Sequence, residues 1–77
     1  MKQFTYRVLL NKEPEGGYTV TVPTLPGCIT YGENVDEAIA MAKEAIELYI
    51  ESLVEHNEPV PDESNTLEYA ITLEASV

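Results

Sequence analysis

Cysteine and long apolar runs are both scarce in this chain of 77 residues. Cys28 is the only cysteine, so no internal disulfide can form, as is typical of proteins from reducing compartments. No apolar run approaches the length of about 18 residues that spans a bilayer, and the first residues lack the apolar stretch of a signal peptide. We therefore expect a cytoplasmic protein without membrane contact.

Basic residues are also few: four Lys and Arg oppose fourteen Asp and Glu, which gives a formal net charge of -10 at pH 7. Proteins bind nucleic-acid phosphates through Lys and Arg, so direct nucleic-acid binding is not expected, and an anionic membrane is disfavoured for the same reason. The acidity has two interpretations. It either keeps the protein soluble or attracts a basic partner by long-range steering, and composition does not decide between them.

The length of the chain allows one hydrophobic core, so we expect a single domain over residues 1–77. A domain of this size buries only about 60% of the surface that its unfolded chain exposes, which leaves its stability marginal. Because no disulfide is available, self-association is the simplest reinforcement. We expect a homo-oligomer, with a dimer favoured.

Alternating apolar residues predict an antiparallel hairpin near the start of the chain. Every second position is apolar in residues 4–10 and again in residues 18–22, which is the period of a strand with one covered face. Between the two runs, Gly16 and Gly17 allow a tight reversal. Tyr18 begins the second strand.

A second turn and a short third strand follow. Pro23 ends the second strand because it has no N–H for the ladder, and Pro26 with Gly27 forms a turn. Residues 28–31 then predict a third strand. The first three strands therefore form a meander.

The period changes after Asn34, which is a good helix N-cap. Glu37, three positions later, can reach back to complete a capping box. The apolar residues that follow fall at helical spacing and predict one long helix over residues 35–56, with small residues first and large ones later. These residues are Ala38, Ile39, Ala42, Ala45, Ile46, Tyr49 and Leu53.

After Asn57, Pro59 and Pro61 end the helix, large apolar side chains recur at every second position of residues 67–73. We predict a fourth strand there. The expected fold class is α+β in the order β-β-β-α-β, with one long helix packed on one face of the sheet.

Several short motifs in this order resemble the signature of HicB-like antitoxins. They run from Glu15-Gly16-Gly17-Tyr18 through Val22-Pro23, Leu25-Pro26-Gly27-Cys28, Tyr31-Gly32 and Asp36-Glu37-Ala38 to Pro59-x-Pro61. In physical terms these residues serve turns and close packing, and none is a chemical group suited to catalysis. We assign structural roles in the family motif to Gly16, Gly17, Tyr18, Pro23, Pro26, Gly27 and Ala38.

The resemblance implies a partial ribonuclease-H-like fold, with the last strand beside the first. It also implies the function of an antitoxin in a type II toxin-antitoxin pair. Family members bind and inactivate HicA, a small basic toxin that cleaves mRNA using a histidine. Many relatives carry a C-terminal DNA-binding segment, and the resemblance here covers only the neutralising half.

Catalytic and metal-binding interpretations are weak. A metal-dependent nuclease of the ribonuclease H type needs a carboxylate on its first strand, and residues 3–10 contain none. His56, the only histidine, is expected to interact with the C-terminal end of the helix, and Cys28 is expected to pack as a small apolar residue. One Cys and one His cannot form a zinc site. We expect that the protein is not an enzyme and that it binds no metal and no cofactor.

Acidic residues recur along one face of the predicted helix, and Lys43 is the only cation among them. Like charges at this spacing disfavour an isolated helix slightly, so the face is either an ordinary solvated surface or a landing surface for a basic toxin. The candidate partner-binding residues are Glu44, Glu47, Glu51 and Glu55.

Two functions from different classes therefore stay open. The chain is either the antitoxin of a pair whose basic HicA-like toxin it occludes, or a solitary oligomeric ligand-binding or adaptor module without a toxin. A short basic reading frame beside the gene would favour the first.

Overall fold

The structure, a computed structural model, describes residues 2–76, so Met1 and Val77, the end residues of the predicted domain, lie outside the described part. Three short strands, β1 (Leu9–Lys12), β2 (Tyr18–Thr21) and β3 (Ile29–Gly32), precede one long helix, α1 (Val35–Glu55). The strands form an antiparallel sheet in the order β1-β2-β3. The expected α+β architecture, a three-stranded meander followed by one long helix, is confirmed.

The β1-β2 hairpin closes where the two glycines were expected to turn the chain. Gly16 and Gly17 have φ of 106° and 78°, values that side chains with a Cβ rarely adopt. The Glu13 N–H donates to the Gly17 carbonyl at 2.9 Å, which continues the register that pairs Leu9 with Thr21. The turn thereby fixes which residues of β1 and β2 oppose each other.

The first strand is shorter than predicted. Residues 4–8 carry the expected apolar alternation but form no ladder, because β2 ends at Thr21 and Pro23 has no N–H to continue it. A segment from the far end of the chain takes the place of β2 there. The Thr5 N–H donates to Asp62 Oδ1 at 2.8 Å, and the Thr5 carbonyl accepts the Glu63 N–H at 2.9 Å.

Both ends of α1 are capped by residues of the chain itself. The Asn34 side chain accepts the Glu37 N–H at 2.8 Å, and Glu37 accepts the Glu33 N–H at 3.0 Å, one residue earlier than in the standard capping box. At the other end, Asn57 has φ of 56°, and the Glu58 N–H donates to the Leu53 carbonyl at 2.8 Å. This is a Schellman motif, which satisfies carbonyls that the last turn leaves free.

The helix packs closely on β2 and β3 through its small residues. Ala38 and Ala42 are buried against Val20, which is fully inaccessible to solvent. A Cβ built on Gly32 would lie 2.4 Å from backbone atoms of Ala38, so only glycine fits under this turn of the helix. A second cluster surrounds Leu25, with the larger side chains of the helix over it, as the size gradient along the stripe predicts.

The fourth strand predicted beside the first is not confirmed. Residues 67–73 belong to no strand, and their apolar side chains lie in water: Leu67 is 96% exposed, Tyr69 86%, Ile71 71% and Leu73 82%. Alternation predicts that a segment can pair, but it does not supply the partner. Within one chain, no segment of residues 2–76 pairs with residues 67–73 as a strand.

Candidate functional site

The four candidate glutamates all lie on the solvent side of α1. Each of them is exposed, whereas Ala38 and Ala42 on the opposite side of the same helix are buried against the sheet. Glu51 follows Glu47 and precedes Glu55 by four residues, so successive carboxylates lie one above another along the helix surface. We call Glu44, Glu47, Glu51 and Glu55 the acidic face.

No basic side chain neutralises the acidic face within the part of the chain that the structure describes. The salt bridges found among residues 2–76 involve Arg7 alone, which pairs with Glu63 at 2.7 Å and more distantly with Glu68 at 3.9 Å. Lys43 lies on α1 but makes no ion pair within the same described range. The face therefore presents net negative charge to the surroundings.

Exposed apolar residues lie among these acids. Leu48 is 60% exposed and Val54 61% exposed. Leu48 lies four residues after Glu44, and Val54 lies three residues after Glu51, so both are neighbours of the glutamates on the helix surface. The acidic face thus combines exposed carboxylates with exposed apolar area.

An apolar groove of about 540 Å³ lies between α1 and the first residues of the chain. Alternate residues of segment 4–10 form its floor and α1 forms its wall, with Lys43 and Glu47 at the rim. The apolar lining residues are Phe4, Tyr6, Val8, Leu10, Ile39, Ala42, Ile46 and Ile50. The sequence predicted a helix on one face of the sheet but not the groove, which exists because α1 packs over β2 and β3 and leaves the first strand partly uncovered.

Cys28 and His56, which were considered for catalysis, lie in the protein core and at the end of α1. Cys28 is buried beside Leu25, and this burial raises the pKa of its thiol, which disfavours a reactive thiolate. His56 Nδ1 lies 2.7 Å from the Ser52 carbonyl at the end of α1. Among residues 2–76 no group of three or more His, Cys, Asp or Glu side chains could hold a metal ion, and no helix there is long and apolar enough to cross a membrane.

The residues of the family motif lie in the turns and in the contact between helix and sheet. Gly27 has φ of 80° in the turn after β2, and the Pro26 carbonyl accepts the Tyr49 hydroxyl at 2.8 Å. Tyr18 packs on the cluster around Val20. These residues lie in the scaffold that carries the acidic face.

Comparison with known proteins identifies the family. The model of the HicB-like antitoxins of bacterial toxin-antitoxin systems matches residues 6–75. The chain belongs to this family. A UPF0150 protein of Thermoplasma acidophilum is 52% identical over 73% of this chain and 81% of its own length, and one of Synechocystis is 52% identical over 78% of this chain and 76% of its own.

Relatives named as antitoxins are more distant and longer. Antitoxin HicB of Escherichia coli K12 is 38% identical to this family member over 94% of the chain, and the match spans 54% of the E. coli protein. The crystal structure of the N-terminal domain of Burkholderia pseudomallei antitoxin HicB superposes with a TM-score of 0.63 at 33% identity, covering 86% of this chain and 69% of that one. The α+β fold is therefore that of the HicB N-terminal domain.

Proposed function

We propose that the chain is the neutralising subunit of a type II toxin-antitoxin pair and that it inactivates a basic, HicA-like, mRNA-cleaving toxin by occluding its RNA-binding surface. The observation that carries the proposal is the acidic face: Glu44, Glu47, Glu51 and Glu55 are exposed together on one helix and paired with no cation of the described chain. Membership of the HicB-like antitoxins supports it.

Charge complementarity explains how such a surface competes with RNA. A toxin that binds RNA must present Lys and Arg to phosphates, so an acidic helix face can occupy the same groups. Electrostatic complementarity mainly accelerates association, whereas desolvated apolar contacts slow dissociation. In this chain the glutamates serve the first role, and Leu48 and Val54 beside them serve the second.

Occlusion requires no chemistry by the antitoxin, and in this proposal the chain is not an enzyme. Its net charge of -10 repels phosphate, so in this proposal it binds no nucleic acid directly. The pair acts in the cytoplasm, where mRNA is available to the toxin. The competing proposal is a solitary ligand-binding or adaptor module, for which the apolar groove would be the ligand site.

Titration of the toxin with the antitoxin tests occlusion. The short basic protein encoded beside this gene is purified, and its cleavage of a labelled RNA is measured as the chain is added. Occlusion predicts that activity falls linearly to zero at a fixed molar ratio, because each antitoxin protects one toxin surface. A toxin that stays fully active at excess antitoxin, or a gene with no basic neighbour, would favour the solitary module.

A further inference from the structure

The outer edge of β1 and of residues 4–8 before it is open. Backbone N–H and C=O groups of successive strand residues point to alternate sides, and Glu13, which shares the parity of Thr5 and Arg7, donates to Gly17 of the hairpin. The odd-numbered residues therefore turn their backbone groups inward, toward β2 in β1 itself and toward Asp62 and Glu63 at Thr5 and Arg7. The even-numbered ones, from Phe4 to Lys12, turn theirs away from the sheet, and they bond to no other backbone group of residues 2–76.

The apolar groove runs along this open edge. Phe4, Tyr6, Val8 and Leu10 point into it from the strand, and Ile39 on the opposite wall is 55% exposed. A further strand laid along the edge would find unpaired backbone groups beside it and apolar side chains on the helix side. Open edges with apolar flanks of this kind are templates for pairing with another chain.

Residues 67–73 have the properties of that missing strand. They are seven residues long, as is the segment 4–10, and both segments carry four apolar side chains at every second position. The segment also extends away from the rest of the chain. The radius of gyration is 14.8 Å and the longest dimension 50 Å, whereas a compact chain of this length has a radius of gyration of about 11.5 Å.

The chain's own segment starts on the wrong side of the first strand to reach the open edge. Asp62 and Glu63 bond to Thr5 and Arg7 on the β2 side of that strand. The Thr66 N–H then donates to the Glu63 carbonyl at 2.9 Å and closes a tight turn over residues 63–66. Because these residues form the turn, they cannot carry the chain across the strand to its outer edge. A second copy has no such restriction.

We propose that residues 67–73 of one copy add as a strand to the outer edge of residues 4–10 in a second copy, and that the exchange is reciprocal. Leu67, Tyr69, Ile71 and Leu73 then fill the groove of the partner, and each copy completes the sheet of the other. The two-fold relation makes the assembly a closed dimer. Glu47 lies at the rim of the groove, whereas Glu44, Glu51 and Glu55 do not line it, so three of the four carboxylates of the acidic face stay free for a toxin.

Two substitutions on opposite faces of the segment test the exchange. Ile71→Asp places a carboxylate in the partner's groove, whereas Thr72→Asp adds the same charge on the solvent side of the strand. Light scattering at micromolar concentration should give the parent and Thr72→Asp twice the chain mass of 8.5 kDa. Ile71→Asp should give the chain mass with an unchanged circular dichroism spectrum, because Ile71 is 71% exposed in its own chain and belongs to neither core cluster.

Disulfide cross-linking locates the strand directly and does not depend on the folding of Ile71→Asp. In a Cys28→Ala background, Ile71→Cys is combined in turn with Tyr6→Cys, Val8→Cys and Leu10→Cys, since residues directly opposite in adjacent strands lie within disulfide reach. The exchange predicts a covalent dimer for at least one pair. Cross-linking within one chain, a monomeric parent, or a dimer that cross-links at none of the three pairs would overturn it.

Discussion

Arg7 and Glu63 are joined twice, although 56 positions separate them in the chain. The Arg7 guanidinium lies 2.7 Å from Glu63 Oε2, and the Arg7 backbone N–H donates to Glu63 Oε1 at 3.0 Å. Together with the Asp62 bond to Thr5, this pairing holds the segment after the helix against the first strand. It closes the fold in a place where β2 has already ended.

This closure predicts acid sensitivity. The pKa of the Glu63 carboxyl is lowered, first by the Arg7 backbone N–H that it accepts and then by the Arg7 side chain, and the pKa of Asp62 is lowered by the Ser64 hydroxyl and the Thr5 N–H. Carboxyls with lowered pKa values in the folded state stabilise it above their unfolded values, near pH 4, and lose that contribution as the pH falls through the lowered values.

Melting temperatures measured between pH 7 and pH 2 test whether stability falls with pH as predicted. The parent should lose stability as the pH falls below about 4, and Glu63→Gln should be less stable at pH 7 and change less with acid. Glu74→Gln removes the same charge from an exposed position without an ion pair and should melt like the parent at pH 7. A Glu63→Gln protein that melts like Glu74→Gln would show that the pairing adds nothing.

Gly32 is predicted to be irreplaceable under the helix. The Cβ of Gly32→Ala would approach the Ala38 backbone to 2.4 Å, so α1 must move off the sheet. We expect a loss of about 2 kcal/mol or more in the free energy of unfolding, measured by urea denaturation. Ala38→Gly in the same chain should not restore stability, because the blocking atoms are mainly backbone; full restoration would contradict this packing.

The helix cap gives a smaller, well-defined effect. Asn34→Ala removes the oxygen that accepts the Glu37 N–H, and we expect the free energy of unfolding to fall by about 1 kcal/mol. Asn34→Asp keeps an acceptor at the same place and a favourable charge at the helix N-terminus, so its stability should stay close to that of the parent. Equal losses in the two variants would show that the cap bond is not the cause.

Direct DNA binding is predicted to be absent. A chain with a net charge of -10 cannot replace the counterions of its own promoter, so the purified protein should cause no mobility shift at any salt concentration. Tight binding that weakens as salt is added would contradict this electrostatic argument.

The elements that are encoded locally could be predicted from the sequence. The glycine-bearing turns, the Asn34 cap and the stripe headed by Ala38 all depend on residues within a few positions of each other, and the structure has the hairpins and α1 where these signals indicate. The acidic face was also visible, because helical spacing alone places its carboxylates on one side.

Features that depend on distant partners could not be predicted in this way. The alternation in residues 4–10 and 67–73 shows that each segment can pair but says nothing of which chain it pairs with. The pairing of Glu63 with Arg7 has no local signal, since either residue alone looks like an exposed charge. The groove was missed for the same reason, because its opening depends on where α1 crosses the sheet.

The central claim is that the acidic face captures the toxin, and the association rate tests it most directly. Glu51→Lys with Glu55→Lys reverses two charges on the face, and Glu15→Lys with Glu33→Lys makes the same change in net charge elsewhere. Glu33 lies before the helix, roughly 27 Å along its axis from Glu51. Lysine near the C-terminal end of α1 suits its dipole, so the first variant should remain folded.

Stopped-flow association with the purified basic toxin is measured for both variants and the parent over a range of salt concentrations. The account predicts that the Glu51 and Glu55 variant associates at least about tenfold more slowly than the parent at low salt, that the difference shrinks as salt is added, and that the Glu15 and Glu33 variant is much less affected. If the two variants associate equally fast, the acidic face is only a solvated surface and the toxin binds elsewhere.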